Sequence, residues 1–185
     1  MTASTSVRRL AAGILVALLA ALVTGTALAS RTQHRRARHL VAMTSLEQGV
    51  LADINAFRRA HHLAPLELSS ELSSAAREHS DEMALQGYFA HRSADGTAFW
   101  RRIRRFYPSG DWSLWSVGEN LLWSSPSVSS EQALAMWEHS PEHLRNLLTA
   151  RWREIGVSAV HVSSAPGTFD GRGVTIVTTD FGVRR

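Results

Sequence analysis

The stretch Gly118-Glu119-Asn120-Leu121-Leu122-Trp123 places one carboxylate and one amide inside an otherwise apolar, aromatic run. We interpret this run as an extended segment. An ionised carboxylate that leaves water without a hydrogen bond, an opposite charge or a metal costs several kcal/mol. Glu119 is therefore either exposed to solvent or in contact with a polar partner that another part of the chain supplies.

Length and composition limit what this chain can be. Its 185 residues suffice for one domain with appendages and for a core that needs no crosslinks. The sequence contains no cysteine, which excludes disulfides, thiol catalysis and thiolate metal sites. Stability must therefore come from the packed core.

Residues 1–29 have the pattern of an export signal. Arg8 and Arg9 precede an apolar run over residues 10–23, and Ala27-Leu28-Ala29 comes just before Ser30. The run of about 14 residues is shorter than the roughly 20 that span a bilayer. We therefore expect cleavage and a secreted or extracytoplasmic protein, with an uncleaved membrane anchor as the alternative.

Basic residues are concentrated near the N-terminus. The formal net charge of the chain is +4, but residues 45–185 hold all 16 acidic residues and only 14 of the 20 arginines, a net charge of −2. A slightly acidic globular region lacks the charge expected of a nucleic-acid binder. Residues 30–44 are polar and basic without a hydrophobic period, which favours a flexible linker. Contact of this linker with an anionic envelope or membrane surface is the second interpretation.

Apolar spacing predicts helices in the first part of the globular region. One helix begins with Ser45 as its N-cap and ends near His61. A second begins at Ser69 or Ser70 and ends at Gly87, which can adopt the left-handed conformation that closes a helix. Its buried face includes His79, which we interpret as a structural imidazole bonded to a backbone carbonyl.

A short third helix follows, with Phe99, Ile103 and Phe106 facing inward. Its outer face is predicted to carry Arg101, Arg102, Arg104 and Arg105. We interpret these arginines as a solvated face, with a patch for an anionic ligand as the alternative.

The second half of the globular region predicts two more helices and two strands. A helix is predicted to begin within residues 129–131. It must end by Ser140, because Pro141 disfavours helical backbone in the residue before it. Pro141 then begins a helix with Ser140 as its N-cap. His143 lies near that N-terminus, where the helix dipole favours neutral imidazole, an acceptor or metal ligand. Alternating and continuous apolar runs over residues 155–162 and 174–181 predict antiparallel strands, hence an α+β fold.

Three polar residues, His91, Glu119 and His143, stand next to apolar elements in different parts of the chain. Spacing alone does not link them, and separate structural roles are the default interpretation. The ordered segments around them say more. In chain order they are Ile54-Asn55-Ala56-Phe57-Arg58, the helix with Ala76, His79 and Met83, Tyr88-Phe89-Ala90-His91, Gly118-Glu119-Asn120-Leu121, the run from Met136 through Pro141 to Leu148, Glu154-Ile155-Gly156-Val157 and Thr179-Asp180-Phe181-Gly182.

This ordered set resembles the CAP superfamily, also called SCP-like, which includes cysteine-rich secretory proteins, venom allergens, plant pathogenesis-related proteins and bacterial exported proteins. The resemblance implies a three-layer α-β-α sandwich with a central antiparallel sheet over residues 45–185. It also implies a cleft formed by His91, Glu119, Asn120 and His143. Family members can bind a divalent metal, often zinc, and the matching ligands here are His91 and His143.

Two departures from the family pattern bear on function. Many eukaryotic members carry a second cleft acid at the position of Ser140, for which Glu142 is a weak substitute. The family's cysteines are also absent, as is usual in bacterial-type members. The incomplete acid set lowers the expectation of hydrolysis.

The resemblance favours an exported, non-catalytic binding module whose cleft takes a lipid, sterol or peptide-like ligand, with or without a divalent metal. One alternative is a metal-dependent hydrolase or peptidase in which Glu119 serves as general base. The other is a structural protein that acts through surface contacts. We expect a monomer and no nucleic-acid partner.

Overall fold

The computed structural model describes residues 43–185, so the predicted signal peptide and most of the predicted linker lie outside the described residues. The elements, in chain order, are α1 (Ser45–Ala60), β1 (Glu67–Leu68), α2 (Ser70–Gln86), α3 (Phe99–Phe106), β2 (Trp115–Ser124), α4 (Ser130–Glu138), α5 (Pro141–Leu147), β3 (Glu154–Val162), a 3-10 turn (Gly167–Phe169) and β4 (Val174–Arg184). Between residues 43 and 185 no helix is both long enough and apolar enough to cross a membrane.

The four strands form one sheet in the order β1–β3–β4–β2. Strand β4 pairs antiparallel with both β3 and β2, which confirms the predicted strand pair, and the two-residue β1 runs parallel to β3. Helices cover both faces: α2 and α3 pack on one, and α1, α4 and α5 on the other. This arrangement confirms the α+β sandwich. It also leaves β2 at the sheet edge, with helices on either side of it.

Local capping determines where α1 and α2 begin. Thr44, not Ser45, is the N-cap of α1, because its hydroxyl accepts from the backbone of Glu47 while the Glu47 carboxylate accepts from the backbone of Thr44. The predicted cap was therefore wrong by one residue. Ser69 caps α2, and Gly87 ends it with φ of 71°, as predicted.

Glycine 156 allows α2 to lie directly on the sheet. A Cβ atom at Gly156 would stand 2.1 Å from the carbonyl carbon of Leu72, closer than any packed pair of atoms. The first turn of α2 therefore contacts the β3 backbone. From there α2 crosses the sheet, so that Ser80 of α2 reaches Thr178 of β4, hydroxyl to hydroxyl at 2.8 Å.

The orientation of α3 corrects one prediction. Arg102 is fully buried, whereas the sequence placed it on the solvated face with its three neighbours. Helix geometry explains the difference, since residues 99, 102, 103 and 106 follow the i, i+3, i+4, i+7 spacing of a single face. Arg102 thus lies on the same inward stripe as Ile103.

Candidate functional site

Glu119 has two partners at the edge of the sheet. Its side chain, on β2, is 1% exposed. The Nδ1–H of His91 donates to Oε1 at 2.8 Å, and the Nη2 of Arg102 donates to Oε2. The buried carboxylate of Glu119 therefore has two hydrogen-bond partners. The resemblance placed His91 in one cleft with Glu119, whereas Arg102 was predicted to face solvent.

Arg102 also holds the loop that carries His91. Its Nη1 donates to the backbone carbonyl of His91 and to the hydroxyl of Ser93, each at 3.2 Å. A buried guanidinium with three acceptors balances the charge of Glu119 and fixes the loop to the strand. Arg102 is therefore the residue that joins α3, this loop and β2.

The tautomer of His91 follows from its carboxylate partner. Because Glu119 accepts at Nδ1, the Nε2 of a neutral His91 carries a free lone pair. The His91 side chain is 51% exposed and lines a cavity, so a ligand can reach it.

His79 supports the residue before His91. Its buried ring donates from Nε2 to the carbonyl of Ala90 at 2.9 Å, which confirms the predicted structural role of His79. Burial lowers the pKa of His79, which keeps this ring neutral.

His143 faces His91 from the first turn of α5, with 6.5 Å between the ring centres. The pKa of His143 is lowered, as predicted, but the main cause is burial, followed by the proximity of His91. The helix begins at Pro141 as expected, although the Ser140 side chain makes no capping hydrogen bond.

Asn120 supports the cleft from behind. It is fully buried and is absent from the lining of the cavity beside His91, because adjacent residues of a strand point to opposite faces. Its Nδ2 donates to the carbonyl of His143 at 3.1 Å. Asn146 donates to the Asn120 side chain at 2.9 Å and to the Glu119 carbonyl at 3.0 Å. The predicted lining residue instead fixes α5 to β2.

Asp180 is a second buried acid that the sequence did not reveal. It lies directly opposite Glu119, on β4, and is fully buried. Neither of its oxygens has a hydrogen-bond partner among the described residues. Burial, and then the negative charge of Glu119, raises the pKa of Asp180 well above its usual range. Since Arg102 already pairs with Glu119, we assign the proton of this acid pair to Asp180.

Two cavities share His143 in their linings. The first, of about 390 Å³, is called the polar cavity; its lining includes His91, Glu119, His143, Arg145, Arg151 and Trp152. The second, of about 260 Å³, is called the apolar cavity; it is lined by His143, Ser140, and six apolar side chains, those of Phe89, Leu121, Leu122, Trp123, Met136 and Trp137. Glu142, the weak substitute for the second cleft acid, lines the polar cavity, while Ser140 lines the apolar one.

The imidazole rings of His91 and His143 both line the polar cavity and are the candidate metal ligands predicted from the sequence. Within residues 43–185 no three side chains of His, Asp or Glu converge on one metal position. A metal at this place would take both rings as neutral imidazole. Zinc bonds imidazole nitrogen at about 2.0–2.1 Å. The contact of His91 with Glu119 is the kind of outer contact that orients a ligating histidine.

Comparison with known proteins identifies the family. The sequence model of the Cysteine-rich secretory protein family, CAP, matches residues 51–179. The chain belongs to the CAP family. Among its relatives is the uncharacterized protein YkwD of Bacillus subtilis, 28% identical over 123 residues, which cover 66% of this CAP chain and 46% of YkwD. The chain thus spans less than half the length of that relative.

Solved structures agree with the CAP fold. An extracellular protein containing an SCP domain from Bacillus anthracis matches with a TM-score of 0.56 and 25% identity, over 75% of this chain and 40% of that protein. An outer surface protein of Borrelia burgdorferi matches with a TM-score of 0.60 and 20% identity, over 78% of this chain and 97% of that protein. At that identity the second match shows the fold alone. Together these findings confirm the resemblance stated from the sequence.

Proposed function

We propose that this CAP protein is an exported binding protein whose two cavities take a single-chain anionic amphiphile, such as a fatty acid. The observation that carries the proposal is the position of His143, which lines both the polar and the apolar cavity. A ligand with a charged head and an apolar tail matches a cavity that holds the charged side chains and shares His143 with a mainly apolar cavity.

The polar cavity suits an anionic head group. Arg145 and Arg151 line it and are exposed, and the two histidine rings add nitrogen atoms that can form hydrogen bonds to a head group. Glu119 does not oppose an anion there, because the buried Arg102 balances its charge. The remaining acid of the lining, Glu142, is exposed to solvent, which screens its charge.

The apolar cavity suits a hydrocarbon tail. Met136 on its lining is 45% exposed, and Trp123 is half-buried, so both retain apolar surface that a ligand would cover. Burial of apolar area contributes about 25 cal/mol for each Å². Covering this surface is therefore the expected main source of affinity.

The position of Glu119 favours binding over hydrolysis. A general base must reach the proton of the attacking water. Both oxygens of Glu119 are already bonded, one to His91 and one to Arg102, and its side chain is 1% exposed. Binding needs no such proton transfer, which makes it the function that this geometry supports better.

A divalent cation, zinc in particular, would be held by the ring nitrogens of His91 and His143. When bound, it would supply a positive charge for the head group of the ligand. Calorimetric titration of the purified protein with zinc should show one site, which His91→Ala removes. Equal zinc affinity in the wild type and in His91→Ala would contradict this part of the proposal.

Displacement of a fluorescent fatty acid by dodecanoic acid tests the main proposal. Ser140→Trp should fill the apolar cavity and weaken binding at least about tenfold; the Ser140 side chain makes no capping bond that would be lost. Arg145→Gln with Arg151→Gln should weaken binding through the head group. Arg59→Gln, on α1, should bind as the wild type does. Absence of saturable displacement, or full binding by Ser140→Trp, would refute the proposal.

Export is the remaining part of the proposal. The signal pattern in residues 1–29 supports it, as does the extracellular character of the Bacillus anthracis protein. Fractionation of the producing cells should place the protein in the medium or on the outer side of the membrane. Recovery in the cytoplasm alone would contradict export.

A further inference from the structure

The outward side of α3 carries a cationic surface that is separate from both cavities. Four of its side chains are exposed and line a depression of about 360 Å³. They are Trp100, Arg101, Arg104 and Arg105, here called the arginine face. The sequence left two interpretations of this cluster open, a solvated face and an anion patch.

The charges of the arginine face are only partly balanced by the protein. Arg105 pairs with Glu78. Arg101 and Arg104 have no ion pair or side-chain hydrogen bond with any residue between 43 and 185. Arg101 lies three and four residues before Arg104 and Arg105, and like charges at this spacing destabilise a helix. The helix α3 also lacks an acidic residue in its first turn and a side-chain N-cap. The helix thus concentrates positive charge within a region whose overall net charge is −2.

An exposed indole lies within this positive charge. Trp100 is 38% exposed, and the guanidinium carbon of Arg101 lies 5.0 Å from its ring centre. Tryptophan beside arginine is typical of the membrane–water interface, where the indole meets the head-group region and the cations meet phosphate. A soluble polyanion would require the arginines but would leave the indole unused.

We propose that the arginine face docks onto a membrane surface containing anionic phospholipids. Arg101 and Arg104 contact head-group phosphates, and Trp100 inserts at the interface. The residue that begins α3, Phe99, lines the polar cavity. Docking through α3 therefore brings the cavity close to a lipid surface, from which an amphiphilic ligand could be taken up. The surface lies outside the cavities, so the docking does not depend on what they bind.

Partition of the full chain onto lipid vesicles tests the docking. The measured quantity is the ratio of partition coefficients on vesicles of mixed phosphatidylglycerol and phosphatidylcholine and on vesicles of phosphatidylcholine alone. Residues 1–42 are the same in every variant, so a difference between variants comes from the substituted residues. Each arginine near an anionic surface contributes about fivefold, the equivalent of about 1 kcal/mol. Arg101→Gln with Arg104→Gln should lower the ratio about 25-fold.

Single substitutions give a matched control. Arg104→Gln and Arg59→Gln change the charge equally, but Arg59 lies on α1 and is exposed away from the arginine face. Arg104→Gln should lower the ratio of partition coefficients about fivefold, and Arg59→Gln should leave it unchanged. Glu78→Gln, which frees Arg105, should raise the ratio. Equal losses in the two single variants, or wild-type binding by the double variant, would overturn the proposal.

A soluble polyanion is the competing occupant. If the double variant loses affinity for polyphosphate while its vesicle ratio stays at the wild-type value, the arginine face is a polyanion site and the membrane proposal is wrong. Ser140→Trp should keep the wild-type vesicle ratio. Ser140→Trp therefore reports on fatty-acid binding and the double arginine variant on membrane docking, so the failure of one proposal can be told from the failure of the other.

Discussion

Replacing Asp180 by Asn should change how stability depends on pH. Asp180 is fully buried opposite Glu119, and neither of its oxygens has a partner among the described residues. Asn has nearly the same size as Asp and carries no ionisable proton. The substitution therefore keeps the shape of the pair and removes only its ability to lose a proton.

The sign and the size of the effect follow from the raised pKa of Asp180. The pKa of Asp in an unfolded chain is about 3.9. Above that pH the folded protein holds a proton that the unfolded chain has lost, so the free energy of unfolding falls as pH rises. The slope is about 1.4 kcal/mol per pH unit, up to the pKa of the folded state. The wild type should therefore lose stability relative to Asp180→Asn across this window.

Urea unfolding, followed by tryptophan fluorescence at several pH values from about 5 to 8, measures this difference. The advantage of Asp180→Asn over the wild type should grow as pH rises towards the raised pKa of Asp180 in the folded state. Asp170→Asn, at an exposed turn, is the matched control. Its free energy of unfolding should differ from that of the wild type by the same amount at every pH. Parallel curves for Asp180→Asn and the wild type would refute the assignment of a proton to Asp180.

Two further substitutions test the contacts that build the site. Arg102→Met should lower the free energy of unfolding by about 3–5 kcal/mol, because it leaves Glu119 charged and buried without its cation; a loss below about 1 kcal/mol in urea unfolding would show that the pair is not needed. Gly156→Ala should cost about 1–3 kcal/mol or more, because the new methyl group would overlap the Leu72 backbone; an unchanged melting temperature would contradict the close approach of α2 to β3.

Features of the fold that depend on neighbouring residues could be predicted from the sequence. The ends of α2 were predicted because Ser69 and Gly87 act on the backbone beside them. The strands were predicted because their apolar pattern is local as well. The pairing of Glu119 with Asp180 joins residues far apart in the chain, and no local pattern gives that register.

Two residues of the site were misplaced although the sequence held a signal. Arg102 falls on the helical stripe of Phe99 and Ile103, but its charge favoured the solvated side. Asn120 follows Glu119 directly in a strand, and such neighbours point to opposite faces, so the Asn120 amide lies on the side of the sheet opposite to the Glu119 carboxylate. His91 and His143 were found because their segments matched a family, and the ligand they serve stays a prediction.

A crystal structure of the protein grown with dodecanoic acid would test fatty-acid binding in the two cavities most directly. We expect density for the carboxylate beside His143 and Arg145, and for the hydrocarbon chain running into the apolar cavity along Trp123 and Met136. Density for the fatty acid outside both cavities, or cavities filled with ordered water alone at saturating ligand, would contradict the proposed binding.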